Sequence, residues 1–176
     1  MDVGLSDQAA EWQARLRAFV DAELIPWEVH AEMHGGELPP EIGERHQRLA
    51  IELGLAGMDV PRAHGGLGLG MEAQCAIWEQ LGRVTNALCW CFPEAQHWMF
   101  EACNADQLER WIRPLMAGRL RDCYAITEAE SGSWETIDTV ARRVDGGYRI
   151  DGEKWFVTSA NLADFFFLQE IGRAHV

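Results

Sequence analysis

The spacing of apolar residues changes character at Gly118, and this change limits the folds open to the chain. From Ser6 up to that point, apolar side chains recur every three or four residues, as they do along amphipathic helices. Beyond it, short β-rich runs follow one another between turn residues. The sequence therefore predicts an α+β fold. In this prediction an N-terminal all-α helical domain occupies residues 1–119, and an incomplete antiparallel, β-barrel-like domain occupies residues 120–169.

Helix boundaries follow from residues that start or stop helices. Ser6 is a suitable N-cap for a first helix that runs to about His34 and is kinked or divided at Pro26. A second helix begins after Pro39-Pro40 and ends before Gly54. Helical spacing returns in three later segments: Met71–Leu81, about Pro93 to Cys103, and Asp106–Met116.

Five β-rich runs predict strands in the second domain: Tyr124–Thr127, Thr136–Val144, Tyr148–Asp151, Trp155–Thr158 and Phe165–Leu168. Gly146-Gly147 predicts a hairpin turn between two of them. The last run is so apolar that, with no strand after it, it would leave an exposed sheet edge. We therefore interpret the chain as an N-terminal piece of a longer protein. Residues 170–176, whose sequence resembles translated adapter DNA, are interpreted as a non-native tail.

Composition and charge exclude several functional classes. The 15 lysines and arginines against 28 acidic residues give a net charge of −13, which leaves little to neutralise the phosphates of a nucleic acid. No run of about 18 apolar residues predicts a membrane span, and acidic residues near the N-terminus replace the basic and apolar regions of a secretion signal. Five cysteines without a CxxC pair fit reduced thiols. The sequence therefore predicts a cytoplasmic protein.

Two stretches of the second domain carry the clearest functional signal. The first stretch, Tyr124–Ser133, has the sequence YAITEAESGS, and the second stretch, Gly152–Ser159, has the sequence GEKWFVTS. Each couples a β-rich run to a hydroxyl residue at its end, and the second adds adjacent aromatic residues. Strand-end hydroxyls and backbone amides can bond the heteroatom edge of a flat cofactor, while an aromatic ring covers its apolar face. Either stretch alone favours an ordinary pair of strands, whereas their order and spacing together favour a cofactor site.

These two stretches resemble the flavin-binding half-sites of the acyl-CoA dehydrogenase family. Phe19–Pro26 resembles the opening helix of that family, and Gly54–Gly68 resembles its helix-to-loop signature. The resemblance extends from about Trp12 to Gln169. It implies FAD as the cofactor, an acyl-CoA substrate in fatty acid metabolism, and an electron-transfer flavoprotein as partner. It also implies a homo-oligomer, and a C-terminal four-helix domain that follows the middle β domain.

By position, the resemblance implies roles for four residues of the first stretch. Tyr124, Ile126 and Thr127 would lie along the flavin, with Thr127 bonding its pyrimidine side. Ser133 would contact the FAD pyrophosphate and would also lie near the thioester arm of the substrate. The resemblance therefore gives Ser133 a part in both cofactor binding and substrate binding.

In the second stretch, Phe156 holds the position where many family members place a tryptophan against the isoalloxazine. Thr158 would approach the N5 edge of the flavin, where a hydrogen bond helps to orient the ring. Three residues depart from the family's usual proline, glycine and aspartate: Ala129, Glu130 and Trp134. The charge of Glu130 is unfavourable near a pyrophosphate unless it faces solvent. The family's catalytic base is a carboxylate of the C-terminal domain, and no acidic residue of this chain matches it.

The resemblance and the residues leave other interpretations open. With the same fold, the chain could belong to a flavin monooxygenase or a nitroalkane oxidase, and without a cofactor it could be a helical interaction module. Gly65–Gly70 does not spell GxGxxG, so a turn is favoured over a dinucleotide site. His30 and His34 can share a helix face but have no evident third metal ligand. His97 is favoured as a satisfied core histidine over a residue that lines an acyl pocket.

Overall fold

A computed structural model describes residues 4–130 and 136–171. Contacts within the chain divide it into two compact units, Met1–Arg119 and Leu120–Val176. The described helices all lie in the first unit, and the described strands all lie in the second. Within the described ranges, no helix is long and apolar enough to cross a membrane.

The first helical segment starts and breaks where its sequence predicts. Helix α1 (Asp7–Phe19) is capped by the hydroxyl of Ser6, which accepts a hydrogen bond from the Ala9 amide at 3.3 Å. Pro26 has no amide hydrogen to donate, so the regular helix ends before it. Three shorter elements complete the segment: a π turn at Val20–Leu24, a 3-10 turn at Ile25–Trp27 and helix α2 at Glu28–Met33.

Further short helices complete the first unit. They are α3 (Pro40–Glu52), α4 (Met71–Leu81), α5 (Asn86–Cys89), α6 (His97–Ala102), α7 (Ala105–Gln107) and α8 (Arg113–Met116), with 3-10 turns at Leu55–Gly57 and Arg62–His64 and a π turn at Leu108–Ile112. Helix α4 spans the predicted residues. Helix α6 begins later than predicted, because the Ala95 amide donates to the Ala56 carbonyl at 2.8 Å and holds that part of the chain outside the helix.

The hydrophobic core of the first unit lies where α1 packs on α4. Its fully buried side chains include Leu16, Leu24, Leu55, Ile77 and Leu81. Ile77 and Leu81 are four residues apart and therefore lie on the same face of α4. Burying each of these side chains contributes about 1.5–3 kcal/mol to the stability of the fold. The apolar residues that recur at helical spacing in the sequence are therefore residues of the core.

The glycine-rich loop of residues 65–70 is a tight turn rather than a phosphate-binding loop. Three successive amides donate to main-chain carbonyls of the preceding segment at 2.8–2.9 Å: Leu67 to Gly57, Gly68 to Val60 and Leu69 to Met58. A phosphate site of this kind needs free amides, so the predicted turn is confirmed. Gly66 lies so close to Val60 that an added Cβ would overlap its carbonyl oxygen and its side chain.

His46 lies on α3 and is fully buried, yet neither ring nitrogen has a hydrogen-bond partner in the described part of the chain. Burial lowers the pKa of His46, and the neighbouring Glu23 offsets this only in part. The folded chain therefore takes up this proton at a lower pH than the unfolded chain, which takes it up below about pH 6.5. The stability that depends on the neutral ring is thus present above that pH and is lost as the pH falls.

We expect His46→Leu to raise the free energy of unfolding by about 1 kcal/mol at pH 7, because it removes an unpaired polar ring from the core. The gain should be larger at pH 5, because the variant no longer loses stability through protonation of this residue in the unfolded chain. Urea unfolding followed by far-UV circular dichroism at both pH values measures this, with the exposed His34→Leu as control. A His46→Leu variant that keeps the wild-type pH dependence would contradict the assignment.

The second unit contains two separate two-stranded sheets in its described residues. Strands β1 (Asp122–Ala125) and β4 (Phe165–Leu168) pair in parallel. Strands β2 (Val140–Val144) and β3 (Gly147–Asp151) form an antiparallel hairpin, which confirms the prediction of a hairpin here. Its turn lies one residue earlier than predicted, because Gly146 takes the positive φ of 82° that the turn needs.

Two features of the predicted β domain are wrong: the antiparallel pairing of all its strands, and the strand at Trp155–Thr158. Strands β1 and β4 are parallel rather than antiparallel, because the chain leaves β1 and returns to its side by a long connection. The described residues form no closed barrel, so the barrel-like arrangement is not confirmed. Trp155–Thr158 is not a strand, since Phe156 has a φ of 55° and Ser159 a φ of 65°. Because these residues are not in a strand, the alternating orientation of strand side chains does not determine the directions in which Thr158 and Ser159 face.

The start of the predicted tail contacts the second unit. The Ile171 amide donates to the Thr139 carbonyl at 2.7 Å, and the Ala141 amide donates to the Glu170 carboxylate at 3.2 Å. Residues 172–176 lie outside the described residues.

Candidate cofactor site

A buried ion pair joins the two stretches singled out in the sequence. The Lys154 ammonium lies 2.8 Å from the Glu128 carboxylate, and the two side chains are only 8% and 7% exposed. The same ammonium donates to the Ile126 carbonyl at 2.8 Å. Because Ile126 and Glu128 belong to the first stretch and Lys154 to the second, one side chain holds the two stretches together.

The Glu128 carboxylate also organises the chain that leads into β2. It accepts hydrogen bonds from the amide of Asp138 at 2.6 Å, from the amide of Thr139 at 2.8 Å, and from the Thr139 hydroxyl. These amides are therefore not available to a neighbouring strand. As a result β2 begins at Val140, although the sequence predicts a strand from Thr136.

The partners of Glu128 keep it ionised. The Lys154 ammonium, and after it the Thr139 hydroxyl, lower the pKa of Glu128 from its ordinary 4.5 to about 2. Such a carboxylate takes up no proton near neutral pH, so Glu128 does not suit the role of a catalytic base. The stability that ionised Glu128 confers is present above pH 4.5 and is lost as the pH falls to about 2.

We expect the amides of Asp138 and Thr139 to lose protection from hydrogen exchange between pH 4.5 and about 2, because protonation of Glu128 weakens the bonds that they donate. In Glu128→Gln their protection should be about fivefold lower at neutral pH and nearly independent of pH, since glutamine does not ionise. Hydrogen exchange measured by NMR tests this, with the Leu69 amide of the first unit as control. An unchanged pH dependence in the variant would show that another group titrates.

Exposed aromatic and hydroxyl groups lie beside this junction. The Trp155 amide donates to the carbonyl of Thr127, an exposed residue, at 2.8 Å. Phe156 is 84% exposed, has a left-handed backbone, and packs edge-on against Trp155 with ring centroids 5.9 Å apart. A bulky residue with positive φ is uncommon and is often found at functional sites. Such a surface can take a flat ring with a polar edge.

The other predicted site residues lie elsewhere in the second unit. Tyr124, on β1, is 39% exposed and stacks on Phe167 of β4 with ring centroids 5.1 Å apart. Ile126 is half-buried directly after β1, and Thr158 is exposed at the start of the turn that ends the second stretch. Ser133 lies outside the described residues. The hydrogen bonds described above thus join the two stretches at residues 126–128 and 154–155.

The sequence interpretation misses the residues that make this junction. Lys154, Glu128 and Thr139 receive no role from it, although opposite charges embedded in two apolar β-rich runs can indicate a buried pair. Gly152 is missed as well. An added Cβ at Gly152 would lie 2.7 Å from the Cα of Thr139, so a residue without a side chain allows this close approach.

Three histidines of the first unit, His30, His34 and His97, are partly or fully exposed. His97 is exposed, and its ring lies 3.5 Å from the Glu101 carboxylate, so the interpretation as a core histidine is wrong. The rings of His30 and His34 stack with centroids 4.0 Å apart at the end of α2. Across residues 4–130 and 136–171, no group of three or more His, Cys, Asp or Glu side chains is placed to hold a metal ion.

Comparison with known proteins identifies the family. Residues 6–119 match the family model described as acyl-CoA dehydrogenase, N-terminal domain. A benzylmalonyl-CoA dehydrogenase of Aromatoleum aromaticum is 33% identical over 171 residues, which cover 94% of this chain and 44% of the relative. The chain therefore belongs to the acyl-CoA dehydrogenase family, and the resemblance found in its sequence is confirmed.

Two further similar proteins show how much of the fold the chain contains. An L-prolyl-[peptidyl-carrier protein] dehydrogenase of Pseudomonas fluorescens is 32% identical over 131 residues, covering 69% of this chain and 34% of the relative. A solved glutaryl-CoA dehydrogenase from Mycobacterium smegmatis, in complex with FADH2, has the same fold. Its TM-score is 0.78 at 23% identity, with 96% of this chain and 43% of that chain covered. This chain spans less than half the length of these relatives.

Proposed function

We propose that the complete protein is an FAD-dependent acyl-CoA dehydrogenase, which oxidises acyl-CoA to 2-enoyl-CoA, and that this chain supplies its N-terminal part. The observation that carries the proposal is the junction of the two stretches. Lys154 and Trp155 hold the second stretch against residues 126–128, beside exposed hydroxyl and aromatic groups. The family match over residues 6–119 supports the same function from the other unit.

The exposed groups of the second unit fit FAD. Trp155 and Phe156 offer apolar ring surfaces, and Thr127 and Thr158 offer hydroxyls for a heteroatom edge. When bound, FAD accepts the electrons that leave the Cα–Cβ bond of the substrate. The aromatic side chains exclude water, and the hydroxyls orient the ring. We propose that six residues hold it: Tyr124, Ile126, Thr127, Ser133, Phe156 and Thr158.

The proposed substrate is an acyl-CoA, with Ser133 near its thioester arm. One relative is named for benzylmalonyl-CoA and one solved neighbour for glutaryl-CoA. Neither acyl group is a simple fatty acyl chain, so these names support acyl-CoA oxidation without favouring fatty acid metabolism. Following the family resemblance, we also propose an electron-transfer flavoprotein as electron acceptor, and a homo-oligomer.

We propose that the catalytic base belongs to a part of the protein beyond this chain. A general base must be free to accept a proton near the working pH. Glu128, the carboxylate at the junction, is instead bonded by Lys154, by the amides of Asp138 and Thr139, and by the Thr139 hydroxyl. The Glu128 carboxylate thus has a structural task.

The complete protein, purified with FAD, tests the proposed function. Anaerobic addition of benzylmalonyl-CoA, glutaryl-CoA and a straight-chain acyl-CoA should bleach the oxidised flavin absorbance with at least one of them. Mass spectrometry should then find a product with two hydrogens fewer than the substrate. Protein without a flavin spectrum would refute the proposal. Oxygen consumption that yields peroxide or a hydroxylated product would favour oxidase or monooxygenase chemistry instead.

A further inference from the structure

The second stretch is held in place without strand pairing. Residues 152–157 belong to no strand of the described chain, yet Phe156 among them is proposed to hold FAD. Three hydrogen bonds, each of 2.8 Å, tie this segment to the first stretch: Lys154 to the Ile126 carbonyl, Lys154 to the Glu128 carboxylate, and Trp155 to the Thr127 carbonyl. Two of the three come from a single ammonium group.

We propose that Lys154 is a positioning residue of the flavin site, which sets the spacing between the Thr127 and Phe156 sides of that site. The proposal rests on the proposed function. Lys154 bonds the residues on both sides of Thr127. The Glu128 side chain is thereby held inside the unit, and Thr127, its neighbour along the chain, is exposed.

The anchor of Lys154 is itself fixed. The Asp138 and Thr139 amides and the Thr139 hydroxyl all bond Glu128, so the carboxylate has little freedom to move. Gly152 packs against Thr139 with no room for a Cβ, which fixes the chain two residues before Lys154. The ammonium therefore joins two segments whose own positions are already restricted, and together with the bond from the Trp155 amide to the Thr127 carbonyl it sets the distance between them.

A positioning role can be separated from a purely stabilising one. A buried ion pair often contributes no more stability than uncharged side chains of similar volume. If the pair served stability alone, a neutral replacement of both partners should restore every property of the protein. If Lys154 positions the flavin site, the neutral replacement should restore folding but not the site, because methionine cannot bond the Ile126 carbonyl.

The experiment compares variants of the complete protein. Lys154→Met removes the ammonium, and the double variant Lys154→Met/Glu128→Gln also removes the unpaired charge while keeping an acceptor for the nearby amides. Arg142→Met, which removes an exposed cation of the β2–β3 hairpin, is the control. Three properties are measured: thermal unfolding of the apoprotein, FAD affinity by fluorescence titration, and the reduction potential of the bound flavin.

We expect Lys154→Met to unfold at lower temperature and to bind FAD about tenfold more weakly or worse, with a shifted reduction potential. The double variant should recover most of the unfolding temperature and keep the weak FAD binding and the shifted potential. Arg142→Met should match wild type in FAD affinity and potential. If Lys154→Met does not fold, Lys154→Gln and the double variant are judged by the same criteria.

Wild-type FAD affinity and potential in the double variant would overturn the positioning role, because a neutral pair would then suffice. Unaffected FAD binding in Lys154→Met would overturn it as well. Both outcomes leave the proposed function intact, since the wild-type protein still binds FAD. A wild-type complete protein that binds no FAD would instead refute the proposed function, and the role of Lys154 with it.

Discussion

Acyl-CoA oxidation by this chain alone is expected to be about 10²–10⁴-fold slower than by the complete protein, because a positioned general base contributes roughly that factor. Glu128, a carboxylate beside the proposed site, is kept ionised and bonded by Lys154 and Thr139. The chain also spans only 44% of the benzylmalonyl-CoA dehydrogenase that it resembles. Dye reduction with a panel of acyl-CoAs, for the chain and for the complete protein, measures the ratio.

Excess FAD is present in both assays, so that weak retention of the cofactor by the chain does not account for the difference. Glu128→Gln in the complete protein provides a second control. Because Glu128 is not the proposed base, this substitution should change the FAD affinity and leave the pH dependence of the rate unchanged. Turnover by the chain within about tenfold of the complete protein would contradict the placement of the base outside the chain.

Local signals predict the first unit well. The Ser6 cap, the break at Pro26 and the limits of α4 are all encoded within one or two turns of helix. The start of α6 is not, because the Ala95 amide that delays it bonds a carbonyl far away in the sequence. His46 lies at helical spacing between Ile42 and Leu49, but its complete burial depends on what packs over α3.

The second unit shows where local patterns stop being sufficient. β-rich runs predict that β1 and β4 exist, but their parallel pairing is a choice between distant segments. The same limit explains Trp155–Thr158, which has the composition of a strand. Its neighbour Lys154 bonds a side chain and a carbonyl of the first stretch instead, and Phe156 turns the backbone into the left-handed region.

The candidate site was predictable as two stretches but not as one arrangement. The family resemblance selects Thr127, Phe156 and Thr158, and the described contacts bring the Thr127 side and the second stretch together through Lys154 and Trp155. The ion pair itself combines one charge from each stretch. A sequence pattern that treats each stretch separately therefore cannot predict the contact between Glu128 and Lys154.

Gly66→Ala is expected to lower the free energy of unfolding of the first unit by about 3 kcal/mol, the upper end of the usual cost of overpacking. An added Cβ would overlap the Val60 carbonyl oxygen, which cannot move aside without losing the hydrogen bond that it accepts from Gly68.

Gly43→Ala is the matched control. Gly43 lies within α3, and apart from the backbone of that helix no atom lies within 4 Å of an added Cβ, so alanine should raise the free energy of unfolding there by about 0.5–1 kcal/mol. Urea unfolding followed by far-UV circular dichroism compares the two, and equal stability of both variants would mean that the turn moves to accept the methyl group.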